Sequence, residues 1–142
     1  MRSDLSDRGL YDFWSEEKIR WSDQDAARHV NNVAYAGYLE DARAEWIIEH
    51  LIPHKPKGST WLVRHVEIDY LGVASYPGRV EVGTCVVALG DTSFTLGQAI
   101  FEGDTDHCLV TAKTVHAFRQ NRELAPTPPE LRLVLEELIS EG

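Results

Sequence analysis

The feature that most limits how this chain can fold is one long helical pattern, which begins near Asn31 or Asn32 and runs to Leu51. Either asparagine is a good N-cap, because its side chain can accept a hydrogen bond from a backbone N–H of the first turn. Apolar residues recur at helical spacing, and Pro53 and Pro56 end the pattern. The apolar positions are Tyr35, Tyr38, Leu39, Ala42 and Trp46. At 1.5 Å per residue the helix is roughly 30 Å long, which is enough to cross a whole sheet in a small domain.

Most of the remaining chain alternates apolar residues with polar or charged ones, which predicts strands. The predicted strands are residues 17–22, 60–70, 79–89, 93–101 and 107–119. Turn residues such as Gly90-Asp91 and Gly103-Asp104 separate the last three strands, so we expect an antiparallel meander. A capping box that starts at Thr127 predicts a short amphipathic helix near the C-terminus.

This order of elements predicts an α+β fold, in which an antiparallel sheet of about five strands wraps around one long central helix. We expect residues 1–14 to be a flexible N-terminal leader and residues 15–142 to form a single domain, because 142 residues leave little room for a second one. A sheet of this kind leaves an edge to cover. The sequence therefore predicts a homodimer or homotetramer in which sheets pair edge to edge.

Charge and composition argue against several classes of function. The net charge of −9 disfavours binding to nucleic acid, although the N-terminus of a helix can still bind a small anionic ligand. No apolar stretch predicts a membrane span, and the acidic N-terminal residues predict no signal or transit peptide, so the cytoplasm is the default location. Cys85 and Cys108 are predicted to be small buried apolar residues, and the scattered histidines predict no metal site.

The most specific part of the sequence is the polar stretch between the first strand and the long helix. It reads Asp23-Gln24-Asp25-Ala26-Ala27-Arg28-His29-Val30-Asn31-Asn32-Val33-Ala34-Tyr35. Together with Glu40 and Arg43 in the helix, this stretch resembles the signature of the 4-hydroxybenzoyl-CoA thioesterase-like family of hotdog-fold acyl-CoA thioesterases. That signature is Asp-x-Asp-x-x-Gly-His-Val-Asn-Asn-x-x-Tyr, and the resemblance extends over about residues 17–125.

The resemblance implies a hotdog fold and hydrolysis of an acyl-CoA to the free acid and coenzyme A. The residues themselves predict no cofactor and no metal. The resemblance also implies that Asp25 either attacks the thioester carbonyl or activates a water molecule. A helix N-terminus stabilises an ionised carboxylate beside it, and its free N–H groups can stabilise an oxyanion. The expected oxyanion donor is the backbone N–H of Asn32.

Other residues of the matched pattern receive supporting roles. The resemblance implies that His29 positions the loop. Its ring either braces the loop or contacts Asn31 or Asn32, and a general base is the alternative role. Tyr35 either packs in the core or lines the acyl channel. Ser93 resembles the position that meets coenzyme A across the dimer. The candidate phosphate contacts are Arg64, Arg79 and Arg119.

Arg28 stands where the family pattern has glycine, which readily adopts a left-handed backbone. The arginine adds a bulky cation that either contacts the ligand or obstructs the site. Because of Arg28, the alternative function remains open, in which a noncatalytic hotdog protein binds acyl-CoA, acyl carrier protein or a partner protein. A hydratase is disfavoured, because Ala27 occupies the place of the asparagine expected between Asp25 and His29. Asp23 is expected to be structural.

Overall fold

The computed structural model describes residues 4–139, which form one antiparallel sheet with one long and one short helix. The helices are α1 (Asn32–His50) and α2 (Pro129–Leu138). The strands are β1 (Phe13–Lys18), β2 (Ser59–Tyr70), β3 (Arg79–Leu89), β4 (Ser93–Glu102), β5 (Cys108–Gln120) and β6 (Glu123–Leu124). The strand order is β1-β3-β4-β5-β2, and the short β6 pairs with β5. The predicted hotdog architecture is confirmed.

Helix α1 forms where the sequence predicts it, because one of its faces packs on the sheet. Asn31 is the N-cap, and its Oδ1 accepts a hydrogen bond from the Val33 N–H at 2.8 Å. The first half of the helix packs in a core cluster with residues of β3, β4 and β5, among them Val80, Val82, Ile100 and Val110. The second half contributes Trp46 to another cluster, with Phe94, Leu96 and Phe118. The core therefore lies between α1 and the inner face of the sheet.

Strands β3, β4 and β5 form the predicted antiparallel meander, and β2 pairs with β5 at one edge of the sheet. In that pairing Val66 lies opposite Thr114, and Val63 lies opposite His116. The two β5 residues are buried, whereas Val63 and Val66 are each 45% exposed. Helix α1 therefore covers β5 but leaves much of β2 uncovered.

The predicted first strand, residues 17–22, is misplaced, because β1 spans Phe13–Lys18. Both faces of β1 contact protein. Ser15 is buried on one face, while Trp14 packs on Phe101 with ring centroids 5.7 Å apart. A strand that is packed on both faces lacks the alternation of apolar and charged residues that was used to place it.

Residues 4–12 pack across the outer face of the sheet. The ring of Tyr11 is buried over Gly83, where an added Cβ would lie 2.4 Å from the ring. Glycine is therefore required for this close approach. Strand β1 thus begins inside the predicted leader of residues 1–14, whose first three residues lie outside the described range. The division into a leader and a domain over 15–142 stays a prediction.

Helix α2 begins at Pro129, and the predicted capping box at Thr127 is wrong. The N-cap is Pro128, which makes no side-chain cap bond, and the buried Oγ1 of Thr127 has no hydrogen-bond partner in the described chain. The consecutive prolines move the helix start, because proline is already in a helical φ at the first position. Leu131 and Leu135 bury one face of α2. Neither helix of the described chain is long and apolar enough to cross a membrane.

Candidate active site

The loop that precedes α1 is a compact turn closed by backbone hydrogen bonds. The Asp25 N–H donates to the His29 carbonyl at 3.0 Å, and the Arg28 N–H donates back to the Asp25 carbonyl at 2.9 Å. The Val30 N–H donates to the Ala74 carbonyl at 2.9 Å. The turn is therefore fixed both within itself and to the segment that follows β2.

The carboxylate of Asp25 is exposed at the tip of this turn. Its Oδ1 accepts a hydrogen bond from the Ala27 N–H at 2.9 Å, which is an Asx turn. Within the described residues no donor reaches the other oxygen, Oδ2. One oxygen of the carboxylate thus orients the side chain, and the other is open to a ligand.

Arg28 adopts a left-handed backbone with φ 65°. This is the position at which the family pattern has glycine, so the turn keeps the glycine conformation although the residue is arginine. A residue other than glycine pays a conformational cost there. The side chain is exposed beside Asp25, which places a cation at the rim of the turn.

The N-terminus of α1 leaves one backbone donor free. The Asn31 N–H donates to the Asp23 carbonyl at 2.8 Å, and the Val33 N–H donates to the Asn31 side chain. The N–H of Asn32, between them, has no acceptor among residues 4–139. An unpaired donor at the positive end of a 19-residue helix is suited to hold an anionic oxygen.

His29 is the fifth residue of the turn that Asp25 begins. Its ring is exposed, and the ring has no hydrogen bond to Asn31 or Asn32 in the described chain. What the residue contributes to the turn is its carbonyl oxygen, which accepts from Asp25. The backbone closes the turn without a hydrogen bond from the ring, and the positioning role of the His29 side chain stays a prediction.

Asp23 has the structural role that was expected. Its Oδ2 accepts from the Tyr38 hydroxyl at 2.6 Å and from the Arg20 N–H at 2.9 Å. Burial is the main cause that raises the pKa of Tyr38, and the hydrogen bond to Asp23 raises it further. Asp23 therefore joins the loop to the buried face of α1.

Tyr35 lies in the core at the first turns of α1. Its hydroxyl accepts from the Ala74 N–H at 2.9 Å, and its ring lies edge-on to Tyr38. Its other aromatic neighbour is Tyr70, at 6.0 Å between ring centroids, and the Tyr70 hydroxyl donates to the Asn32 carbonyl at 3.4 Å. Sequence reasoning missed Tyr70, although it is the last residue of the alternation that predicts β2.

A second aromatic pair lies beside the loop and was also missed. The rings of Trp21 and Tyr76 pack edge to face at 5.6 Å, yet Trp21 is 69% exposed. Trp21 was assigned to a strand, whereas it lies in a short 3-10 turn. Its neighbour comes from a segment distant in sequence, so no local pattern could reveal the pair.

Ser93 is not brought to Asp25 within one chain. It begins β4, and the next residue, Phe94, packs on Trp46 in the second half of α1. Asp25 precedes the opposite end of the same helix. Ser93 and Asp25 therefore lie toward opposite ends of α1 in one chain.

The arginines proposed as phosphate contacts differ in their availability. Arg79 is paired with three carboxylates, at 3.5 Å from Glu16, 3.1 Å from Glu81 and 2.5 Å from Asp104. Arg64 is exposed. Arg79 is thus occupied, while Arg64 remains a candidate.

The structure offers no metal site among the residues that it describes. In residues 4–139 no three His, Cys, Asp or Glu side chains form a group that could hold a metal ion.

Comparison with known proteins supports the fold and the family. Residues 19–135 match the thioesterase-like superfamily, and no curated protein matches the sequence. A solved structure from Pseudomonas aeruginosa is 30% identical, with 95% of this chain and 96% of that chain covered and a TM-score of 0.82.

Two more distant structures agree in fold. A 1,4-dihydroxy-2-naphthoyl-CoA thioesterase from Synechocystis is 19% identical over 89% of this chain and 96% of that chain, with a TM-score of 0.76. A thioesterase from Thermus thermophilus, crystallised with coenzyme A and zinc, is 22% identical over 90% of this chain and 94% of that chain, with a TM-score of 0.79.

Proposed function

The chain belongs to the thioesterase-like superfamily, and we propose that it is an acyl-CoA thioesterase that releases a free acid and coenzyme A. The observation that carries this proposal is the arrangement at the start of α1. The exposed Asp25 carboxylate, with one oxygen unused, precedes a helix whose Asn32 N–H has no acceptor in the described chain. A nucleophile or base and an oxyanion donor are the two groups that thioester hydrolysis requires.

In the proposed reaction the thioester carbonyl oxygen accepts a hydrogen bond from the Asn32 N–H. The Asp25 carboxylate either attacks the carbonyl carbon directly or removes a proton from a water molecule that attacks it. The C–S bond then breaks, and the sulfur leaves as the coenzyme A thiolate. A direct attack forms an anhydride with Asp25, which water hydrolyses to restore the carboxylate.

Supporting roles are proposed for the neighbours of these two residues. His29 positions the turn through its carbonyl oxygen, and the Arg28 guanidinium binds the anionic substrate at the rim. Tyr35 supports the acyl end of the site from the core. Ser93 is proposed to meet coenzyme A bound at the Asp25 site of the other subunit.

The proposed assembly is a homodimer, or a homotetramer built from dimers. Strand β2 is a 12-residue edge strand, and it exposes apolar side chains on both faces. Leu62, Val63 and Val66 are each 45% exposed. A long, exposed and apolar edge favours pairing with another strand, and a second copy also brings Ser93 to the open site.

The test is a panel of acyl-CoA thioesters with a thiol-reactive dye that detects released coenzyme A. The proposal expects at least one aliphatic or aromatic acyl-CoA in the panel to be cleaved above the buffer rate. If the protein binds acyl-CoA by calorimetry but cleaves none, it is the noncatalytic binder, the alternative that Arg28 in place of glycine keeps open.

A further inference from the structure

Strand β2 carries an open strip of side chains on the inner face of the sheet, beside α1. We call it the β2 strip, and it consists of Trp61, Val63, Val66, Ile68 and Tyr70. Val63 and Val66 are 45% exposed and Tyr70 is 48% exposed. The strip is therefore open to a ligand in the single chain.

Polar groups without partners lie along this strip. Thr114 and His116, opposite Val66 and Val63, are 0% and 3% exposed. The Thr114 Oγ1, the His116 Nδ1 and the Trp61 Nε1 have no hydrogen-bond partner in the described chain. Buried polar atoms are costly when unpaired, so this row of three atoms points to a ligand with complementary polar atoms.

The side chain of Arg43, on α1, adds a positive charge on this face of the sheet. The Nη1 of Arg43 donates to the Gln98 Oε1 at 3.3 Å. Gln98 lies opposite Ala112, two residues before Thr114 on the same face of β5, so this hydrogen bond holds the Arg43 guanidinium on the inner face of the sheet. Burial lowers the pKa of Arg43 and the charge of Glu40 opposes this shift, but no carboxylate of the described residues lies within ion-pair distance of the guanidinium. A half-buried guanidinium whose hydrogen-bond partner is a neutral amide has unused capacity for an anion.

We propose that the β2 strip binds the acyl group of the substrate and that Arg43, with Thr114 and His116, binds a carboxylate at the far end of that group. The inference rests on the proposed thioesterase function, and it names the substrate class as acyl-CoAs that carry a terminal carboxylate. The apolar strip suits the methylene chain, and the guanidinium can form a charge-assisted hydrogen bond with the carboxylate.

The strip begins at the proposed reaction centre, because the Tyr70 hydroxyl donates to the Asn32 carbonyl. Gln98, the partner of Arg43, also donates to the Leu39 carbonyl at 3.1 Å. From Asn32 to the level of Leu39 and Arg43 the helix rises roughly 10–16 Å. An extended chain advances about 3.4 Å per three bonds, so the fitting acyl groups have about nine to fourteen bonds.

The experiment compares the coenzyme A monothioester of decanedioate with decanoyl-CoA. For wild type we expect kcat/KM to be at least about fivefold higher for the carboxylated substrate. In Arg43→Gln this ratio should fall at least about tenfold, and in Thr114→Val it should fall less but in the same direction. Arg132→Gln on α2 removes the same charge from a side chain that bonds to the Gly90 carbonyl and Glu136, and it is expected to leave the ratio unchanged.

Equal rates for the two substrates in wild type, or a ratio that Arg43→Gln does not change, would overturn the proposal. The kcat/KM ratio of the two substrates could also stay unchanged while the Arg43→Gln dimer dissociates more readily than wild type. Arg43 would then pair with a carboxylate of the second subunit, and this result also overturns the proposal. If Arg43→Gln does not fold, Arg43→Lys, which keeps the charge but loses the planar fork, is measured in its place and should lower the ratio.

Calorimetry with free decanedioate and free decanoate on the whole protein separates this proposal from the hydrolase proposal. Binding of decanedioate that depends on Arg43, without cleavage of any thioester, supports the carboxylate site and contradicts hydrolysis. Cleavage without any preference for the dicarboxylate contradicts the site and leaves hydrolysis standing. Neither binding nor cleavage contradicts both.

Discussion

The backbone N–H of Asp25 donates to the carbonyl oxygen of His29 at 3.0 Å, and this bond closes the turn that presents the Asp25 carboxylate ahead of α1. A carbonyl oxygen is available from any residue, so the closure of the turn does not depend on the imidazole ring. The carboxylate of Asp25, in contrast, has no substitute in the turn. The two residues of the motif therefore differ in what their side chains must supply.

Replacing Asp25 with asparagine should separate chemistry from structure. Asparagine keeps an acceptor for the Ala27 N–H, so we expect the free energy of unfolding to stay within about 0.5 kcal/mol of wild type. The amide is neither a nucleophile nor a base, so kcat/KM should fall at least about tenfold. The thiol-dye assay and urea unfolding measure the two quantities. Asp106→Asn, at an exposed carboxylate whose partner is Arg8, is the matched control. Unchanged cleavage by Asp25→Asn would show that the assignment of Asp25 is wrong.

Arg28→Gly should stabilise the protein and weaken substrate binding. A left-handed φ costs a residue other than glycine about 1–3 kcal/mol, while glycine loses about 0.5–1 kcal/mol through the entropy of the unfolded chain. We expect a net gain of about 1 kcal/mol in urea unfolding, together with a severalfold higher KM for acyl-CoA because the cation is lost. Arg122→Gly, at φ 74°, should show the gain in stability without the change in KM. A lower KM in Arg28→Gly would mean that the arginine obstructs the site.

The N-cap of α1 can be tested with a pair of variants. Asn31→Ala removes the acceptor of the Val33 N–H and should lower the free energy of unfolding by about 1 kcal/mol. Asn31→Asp keeps an acceptor and adds a negative charge at the helix N-terminus, so it should be at least as stable as wild type. Equal stability of the two variants in urea would contradict the assignment of the cap.

Local patterns predicted the elements whose packing repeats along the sequence. The predicted range 79–89 and the observed β3 have the same bounds, and Asn31 was one of two predicted caps of α1. The predicted 17–22 differs from β1 because the outer face of β1 is covered by residues 4–12, which pack on the sheet. That cover depends on tertiary contacts such as Tyr11 over Gly83, and it leaves no period in the sequence.

In the candidate site, too, the features within one short segment could be predicted, and the features that join distant segments could not. The Asp25 turn and the free N–H of Asn32 are features of one short segment, so a motif could predict them. The hydrogen bonds from the Ala74 N–H to Tyr35 and from Tyr70 to Asn32 join segments far apart in the chain. Their existence depends on how β2 lies beside α1, which no spacing in the sequence specifies.

The edge of β2 should be the surface through which two chains associate. Leu62→Asp places a charge on an exposed apolar residue of this edge strand, so we expect the dimer to dissociate at protein concentrations where wild type is dimeric. Leu133→Asp introduces the same charge on exposed α2 and should leave the dimer intact. Light scattering at micromolar concentration measures the mass, and a monomeric wild type would remove the basis for this interface.

The buried His116 should make stability depend on pH. Burial, with the nearby charge of Arg43, lowers the pKa of His116 to about 4, whereas an unfolded histidine titrates near 6.5. Between these values the unfolded state binds more protons, so the free energy of unfolding rises with pH and reaches its plateau above about 6.5. On acidification from pH 7 to 4, His116 alone can contribute a loss of up to about 3 kcal/mol. Urea unfolding across this range should show a steeper slope for wild type than for His116→Gln, and His65→Gln, at an exposed histidine, should keep the wild-type slope. If the free energy of unfolding depends on pH in the same way for wild type and His116→Gln, the conclusion that the buried imidazole of His116 is neutral is wrong.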